Sequence, residues 1–138
     1  MNFQLMLDAP LAVQLHFFTI VPAFFIGGWL LIFSTKGAKL HRLFGKIYLV
    51  LMMVTATAAI FIKAVVGPTI SIMGLRLGLI HLFIVLTYAG AFNAIRGVQL
   101  GDIRRHKNAM IGTYVGGLLI AGAFTFVPGR LMYDMFFT

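Results

Sequence analysis

The chain has 138 residues, 61% of them hydrophobic and only 10% charged, and its mean hydropathy is +1.01. That excludes an ordinary water-soluble domain, and the absence of cysteine excludes disulfides, thiolate metal sites and thiol nucleophiles. The formal charge of +8 is concentrated in two short segments between apolar runs, so it reads as membrane topology and headgroup contact rather than as a nucleic-acid surface.

The N-terminal stretch Met1 to Pro10 carries Asp8 as its only charged side chain. It lacks the basic start and small-residue cleavage site of a signal peptide, so the first span is expected to stay in the protein. Apolar runs follow at Leu11 to Phe33, Ile47 to Ile62, Leu77 to Ile95 and Ala109 to Val127. A crossing needs roughly 20 apolar residues, and four crossings with short connections use the whole length. The expectation is one domain over 1–138, an all-α membrane protein built as an up-down four-helix transmembrane bundle from two similar hairpins. Its spans are expected at about 11–33, 44–65, 71–95 and 108–127. Lys46 and Lys63 bracket the short second run and can snorkel to the two interfaces, while Pro22 predicts a kink in the first.

Eight of the eleven basic residues lie in the first and third connections: Lys36, Lys39, Arg42 and Lys46, then Arg96, Arg104, Arg105 and Lys107. The positive-inside rule puts both connections in the cytoplasm and both termini on the non-cytoplasmic side. Glycines punctuate the helices, and Gly74-x-x-x-Gly78 and Gly112-x-x-x-Gly116 match the small-residue packing pattern, which leaves a homo-oligomer open.

The four histidines, His16, His41, His81 and His106, fall one to each expected helix. His16 and His81 lie within apolar runs, where an ionisable side chain is a functional-site candidate. The interval from His16 to His41 is 25 residues, and so is that from His81 to His106. Leu40-His41-Arg42 leads to Gly45 and Tyr48, and Arg105-His106-Lys107 leads to Gly112 and Tyr114, so a weak internal duplication is read. At about 1.5 Å per residue, His16 and His81 are expected roughly 8 to 12 Å below the outer surface, with His41 and His106 as an inner pair. In an up-down bundle each pair spans a diagonal of roughly 11 to 14 Å, which suits the two axial positions of a haem iron. Tetrahedral zinc wants three or four ligands at one level, and no acidic side chain lies in any apolar run. Gln14 or Thr87 would fix the imidazole tautomers, and Arg42, Lys46, Arg105 and Lys107 would neutralise haem propionates. The alternatives are histidines that hydrogen-bond neighbouring helices with no cofactor, or a histidine-held metal ion.

Glutamate is absent, and Asp8, Asp102 and Asp134 all lie at ends or in a connection. No carboxylate pair, nucleophile triad or phosphate loop can be assembled, a proton-driven transporter is disfavoured, and whether the chain is an enzyme stays open. Met52, Met53 and Met110 read as packing before copper ligands.

The pattern of a histidine in the first helix, His41-Arg42-x-x-Gly45-Lys46-x-Tyr48, His81 in the third helix, and Gly101-Asp102-x-x-Arg105-His106-Lys107-x-x-Met110 resembles a family of uncharacterised bacterial four-span membrane proteins. That likeness implies a bacterial inner membrane. More distantly, one histidine per helix resembles the core of the diheme transmembrane cytochromes b that pass electrons from ascorbate or another reductant to ferric iron. This resemblance implies haem b, one or two per chain, with His16 paired to His81 and His41 to His106. It also implies electron transfer with a quinol, a quinone or another redox partner. A cofactor-free accessory or assembly protein is the alternative from a different class, and a histidine-based metal-ion binder is a third.

Overall fold

The computed structural model describes residues 1–63 and 68–138. Four helices are long and apolar enough to cross a membrane: Leu11–Ile32, Lys39–Ile60, Leu79–Gln99 and Ile103–Phe126. In chain order, α1 (Gln4–Leu7) leads into α2 (Leu11–Ile32) and α3 (Lys39–Ile60). A hairpin of β1 (Thr69–Ile72) and β2 (Leu75–Gly78) follows, then one 3₁₀ turn and α4 (Leu82–Gln99). The fourth span starts as α5 (Ile103–Gly112), continues as a π-helix over Thr113–Ile120 and ends through α6 (Ala121–Ala123); α7 (Leu131–Phe137) closes the chain. Helix α2 runs unbroken across Pro22.

The spans pack in a ring, α2 on α3, α3 on α4, α4 on the fourth span, and the fourth span back on α2. Helices α2 and α4 are therefore diagonal, as are α3 and the fourth span. Both termini gather at one end, where the Asn2 N–H donates to the Met135 carbonyl at 2.8 Å and Met6 and Met135 are buried. The two basic connections lie at the other end. Ile32, Val50, Val85 and Phe92 are exposed on the outside, which an aqueous solvent would penalise and a bilayer accepts.

The observed spans are displaced from the expected bounds. The second begins at Lys39 rather than 44, and the fourth at Ile103 rather than 108, because the basic residues of each connection form the first helical turn and leave their charges at the interface. The third shows the largest difference. Residues 71–78, expected as helix, form most of an antiparallel hairpin with Thr69 opposite Gly78 and Ile72 opposite Leu75. Met73 (φ 51°) and Gly74 (φ 82°) both take left-handed backbone, the requirement of the two-residue hairpin turn whose twist matches its strands. Gly74-x-x-x-Gly78 is therefore a turn and a strand end, and it packs no helices. Average hydropathy could not separate this stretch from a span, whereas Ile70 and Ile72 on one side of Met73-Gly74, and Leu75 and Leu77 on the other, are each spaced by two. The second expected span's last residues, 64 and 65, lie outside the described residues.

The buried core gathers Ala23, Leu30, Tyr48, Met52 and Leu118 from α2, α3 and the fourth span. Tyr48 is 1% exposed, yet its hydroxyl has no hydrogen-bond partner. Burying a hydroxyl without compensation costs about 1 to 3 kcal/mol. Tyr48→Phe is accordingly expected to raise the thermal midpoint of the detergent-solubilised protein, by the equivalent of about 1 kcal/mol. A lowered midpoint would mean that this hydroxyl carries a bond the fold depends on.

Candidate functional site

The basic end is built by two turns of the same kind. Gly37 (φ 80°) precedes α3 and Gly101 (φ 70°) precedes α5. At the second turn the Asp102 N–H donates to the Gly97 carbonyl at 2.8 Å, closing α4, and the Asp102 carboxylate accepts the Arg105 N–H at 3.0 Å, opening α5. These turns place His41 and His106 in the first turns of α3 and α5, at the same end of two diagonal helices. One turn deeper, Phe44 and Met110 pack against the same core cluster.

Both rings are oriented from behind. The Ser34 hydroxyl donates to the Leu30 carbonyl at 2.7 Å, so its lone pair receives the His41 Nδ1–H, also at 2.7 Å. The His106 Nδ1 lies 3.0 Å from the Ala94 carbonyl, which can only accept, so this ring too carries its proton on Nδ1. His16 follows the same rule through the Thr55 carbonyl at 3.1 Å. Among the described residues no hydrogen bond engages Nε2 of these three rings, and none of the three atoms is sealed from access. An imidazole held through Nδ1–H with Nε2 open is the usual presentation of a metal-ligating histidine.

His81 is different. It sits at the junction of β2 and α4, where its Nδ1 accepts the Gly78 N–H at 3.0 Å and its Nε2 donates to the Ile62 carbonyl at 3.2 Å. Both ring nitrogens are occupied in staking the β-hairpin to the end of α3. Nor do His16 and His81 share a level. Their anchor points, Thr55 within α3 and Ile62 just past its end, are seven residues apart, which is roughly 10 Å at the helical rise. The structure thus places the inner pair at one end of the bundle, and it separates the outer pair in depth. The reason is that the hairpin takes up residues that were expected to carry His81 down into the bilayer.

The cations divide in a similar way. Arg42, Lys46 and Lys107 are exposed around the basic end. Arg105 is turned into a groove between α4 and α5, where Nε and Nη2 donate to Asn93 Oδ1 at 3.0 and 2.6 Å. Lys36 caps the end of α2 through the Leu30 and Leu31 carbonyls. Gln14 donates to the Leu7 and Ala9 carbonyls and Thr87 to that of Phe83, so neither fixes an imidazole. The groups that do are Ser34 and the Ala94 and Thr55 carbonyls, with Asn93 holding Arg105. Among the described residues no three metal-binding side chains gather at one place, so a bare ion would find two imidazoles at most.

The sequence profile of the family described as "Predicted membrane protein (DUF2306)" matches residues 13–136. No curated protein and no solved structure matches the chain.

Proposed function

The chain belongs to the predicted membrane protein family DUF2306, and from that premise we propose that it is an electron carrier of the bilayer, holding a b-type haem between His41 and His106. The observation that supports this reading most directly is the matched presentation of those two rings. Each starts one of two diagonal helices at the same end, each is oriented through Nδ1–H, and each leaves Nε2 accessible. When bound, haem supplies one-electron chemistry, with a lipid-soluble quinol as the class of donor and a quinone as acceptor.

The chain's own residues do the rest. Ser34 and the Ala94 carbonyl set the ring orientation and keep Nδ1 protonated, so that both ligands are neutral and no charge is added by ligation. Arg42, Lys46 and Lys107 offer positive charge to propionates at the interface, a set from which Arg105 is withdrawn by Asn93. The orientation proposed with this function has the basic end in the cytoplasm and both termini outside, in a bacterial inner membrane. A second haem between His16 and His81 would require His81 Nε2 to leave the Ile62 carbonyl.

The test is the visible spectrum of protein purified from haem-supplemented cells, oxidised and then dithionite-reduced. The expected result is a Soret band and a sharp reduced alpha band, lost in His41→Ala and in His106→Ala and kept in His81→Ala. Wild-type protein that is colourless, or a spectrum unchanged by His41→Ala, ends the proposal. A second reading, a cofactor-free accessory protein of a larger membrane assembly, is favoured by the fact that all four imidazoles already hydrogen-bond within the fold. Colourless protein without bound metal decides for it.

A further inference from the structure

The groove between α4 and the fourth span changes character along its length. Its basic-end mouth is polar, with Arg105, Asn93 and Asn108, while its inner part is a mostly apolar trough of Leu86, Ala89 and Gly112 beside Thr113; the open groove as a whole has about 380 Å³. Arg105 is fixed there rather than waving in solvent. Two of its nitrogens share Asn93 Oδ1, and Asn93 is itself held because its amide donates to the Ala89 carbonyl at 2.8 Å. The acceptor is neutral, so the positive charge is oriented but not compensated, and the nearby Asp102 carboxylate takes the Arg105 backbone N–H. Arg104 and Lys107 flank it on the exposed side, which makes this mouth attractive to an anion.

The trough is open over Gly112, whereas the Thr113 side chain covers Gly90. A methyl placed on Gly112 would meet nothing within 4 Å. Arg105 and Gly112 are seven residues apart on one continuous helix, so the groove runs from a fixed cation to a bare apolar floor over roughly 10 Å. That distance matches the step from headgroup phosphate to acyl chain within one leaflet, since the polar headgroup zone is itself only several ångströms deep on each side.

We propose that this groove binds one anionic phospholipid of the leaflet facing the basic end, with its phosphate on Arg105 and an acyl chain laid along Leu86, Ala89 and Gly112. Charge complementarity selects this occupant. A zwitterionic lipid brings its own cation to a mouth already crowded with cations, and an uncharged chain leaves Arg105 uncompensated. The site owes nothing to haem and is independent of the function proposed above.

Native mass spectrometry of the detergent-purified protein, mixed with phosphatidylglycerol or with phosphatidylethanolamine of the same acyl chains, tests it. One phosphatidylglycerol should be retained several-fold better than phosphatidylethanolamine. Arg105→Gln should remove the preference, and Gly112→Leu should lower retention by filling the trough while keeping every charge. Lys39→Gln, which removes an exposed cation at the same end but outside the groove, should leave retention unchanged. Equal retention of the two lipids overturns the proposal, as does a loss in Lys39→Gln as large as in Arg105→Gln, which would indicate diffuse attraction to a basic surface. Full retention in Gly112→Leu overturns the placement of the chain.

Discussion

Gly97→Ala is expected to destabilise the protein by about 3 kcal/mol and to pull His106 away from the Ala94 carbonyl. Helix propensity alone predicts the opposite sign, because alanine in a helix interior is better than glycine by about 1 kcal/mol. Packing decides. A methyl at position 97 would stand 2.6 Å from the His106 nitrogen, 2.9 Å from its Cα and 3.0 Å from the Asp102 carbonyl oxygen. All three are backbone atoms of the next helix's first turn, and a backbone cannot rotate aside as a side chain can. The turn must therefore open, loosening the Asp102 N–H bond to Gly97 and the seat of His106 together. Gly45 supplies the internal comparison, since a methyl there meets nothing within 4 Å, and Gly45→Ala should follow propensity and stabilise slightly. Thermal melts in one detergent read both signs. A Gly97→Ala protein that melts with or above the parent would show that α4 and α5 do not approach this closely.

Gly27→Ala should destabilise by about 2 kcal/mol for a reason lodged in side chains rather than backbone. The added methyl would lie 2.7 Å from the ring of Tyr48 and 2.7 to 2.8 Å from that of Tyr114. These tyrosines follow His41 and His106 at similar intervals in the two hairpins, and they converge on one glycine of α2. Tyr48 is fully buried and Tyr114 is tied by its hydroxyl to the Phe24 carbonyl at 3.2 Å, so neither ring can swing out without a loss of its own. Shortening Tyr114 to alanine should relieve part of the clash. The cycle of Gly27→Ala, Tyr114→Ala and the double variant should be non-additive, with the double variant more stable than the sum of the singles. Strict additivity would place Gly27 against something other than these two rings.

Part of the candidate site was legible beforehand. The position of His41 and His106 at the start of the second and fourth helices follows from their place just after the basic connections, and the structure puts them there. Their orienting partners were not legible. That of His106, like that of His16, is a backbone carbonyl, Ala94 and Thr55 respectively, and since every residue owns a carbonyl, sequence carries no mark of the one that a ring will reach. Ser34 and Asn93 were visible as polar residues among apolar ones, and a closer reading of that contrast would have singled them out. Gly97 gave no such sign, because its role is to have no side chain against a backbone that only folding brings near. His81 was misplaced in depth for a nameable reason. In Thr69 to Gly78 the apolar average conceals a strand alternation that turns back at the left-handed pair Met73-Gly74.

By itself the sequence determined the membrane class, the four crossings, the shared end of the two termini and the gathering of charge at the opposite end. These follow from hydropathy and charge read along one dimension, and the thickness of a bilayer converts a run of residues into a crossing without reference to any other part of the chain. The tertiary structure decided which histidines share a level, which nitrogen each ring leaves open, where Arg105 points and which glycines are closed to a methyl. Each of those depends on distances between residues far apart in the chain, and such distances come into existence only when the helices pack.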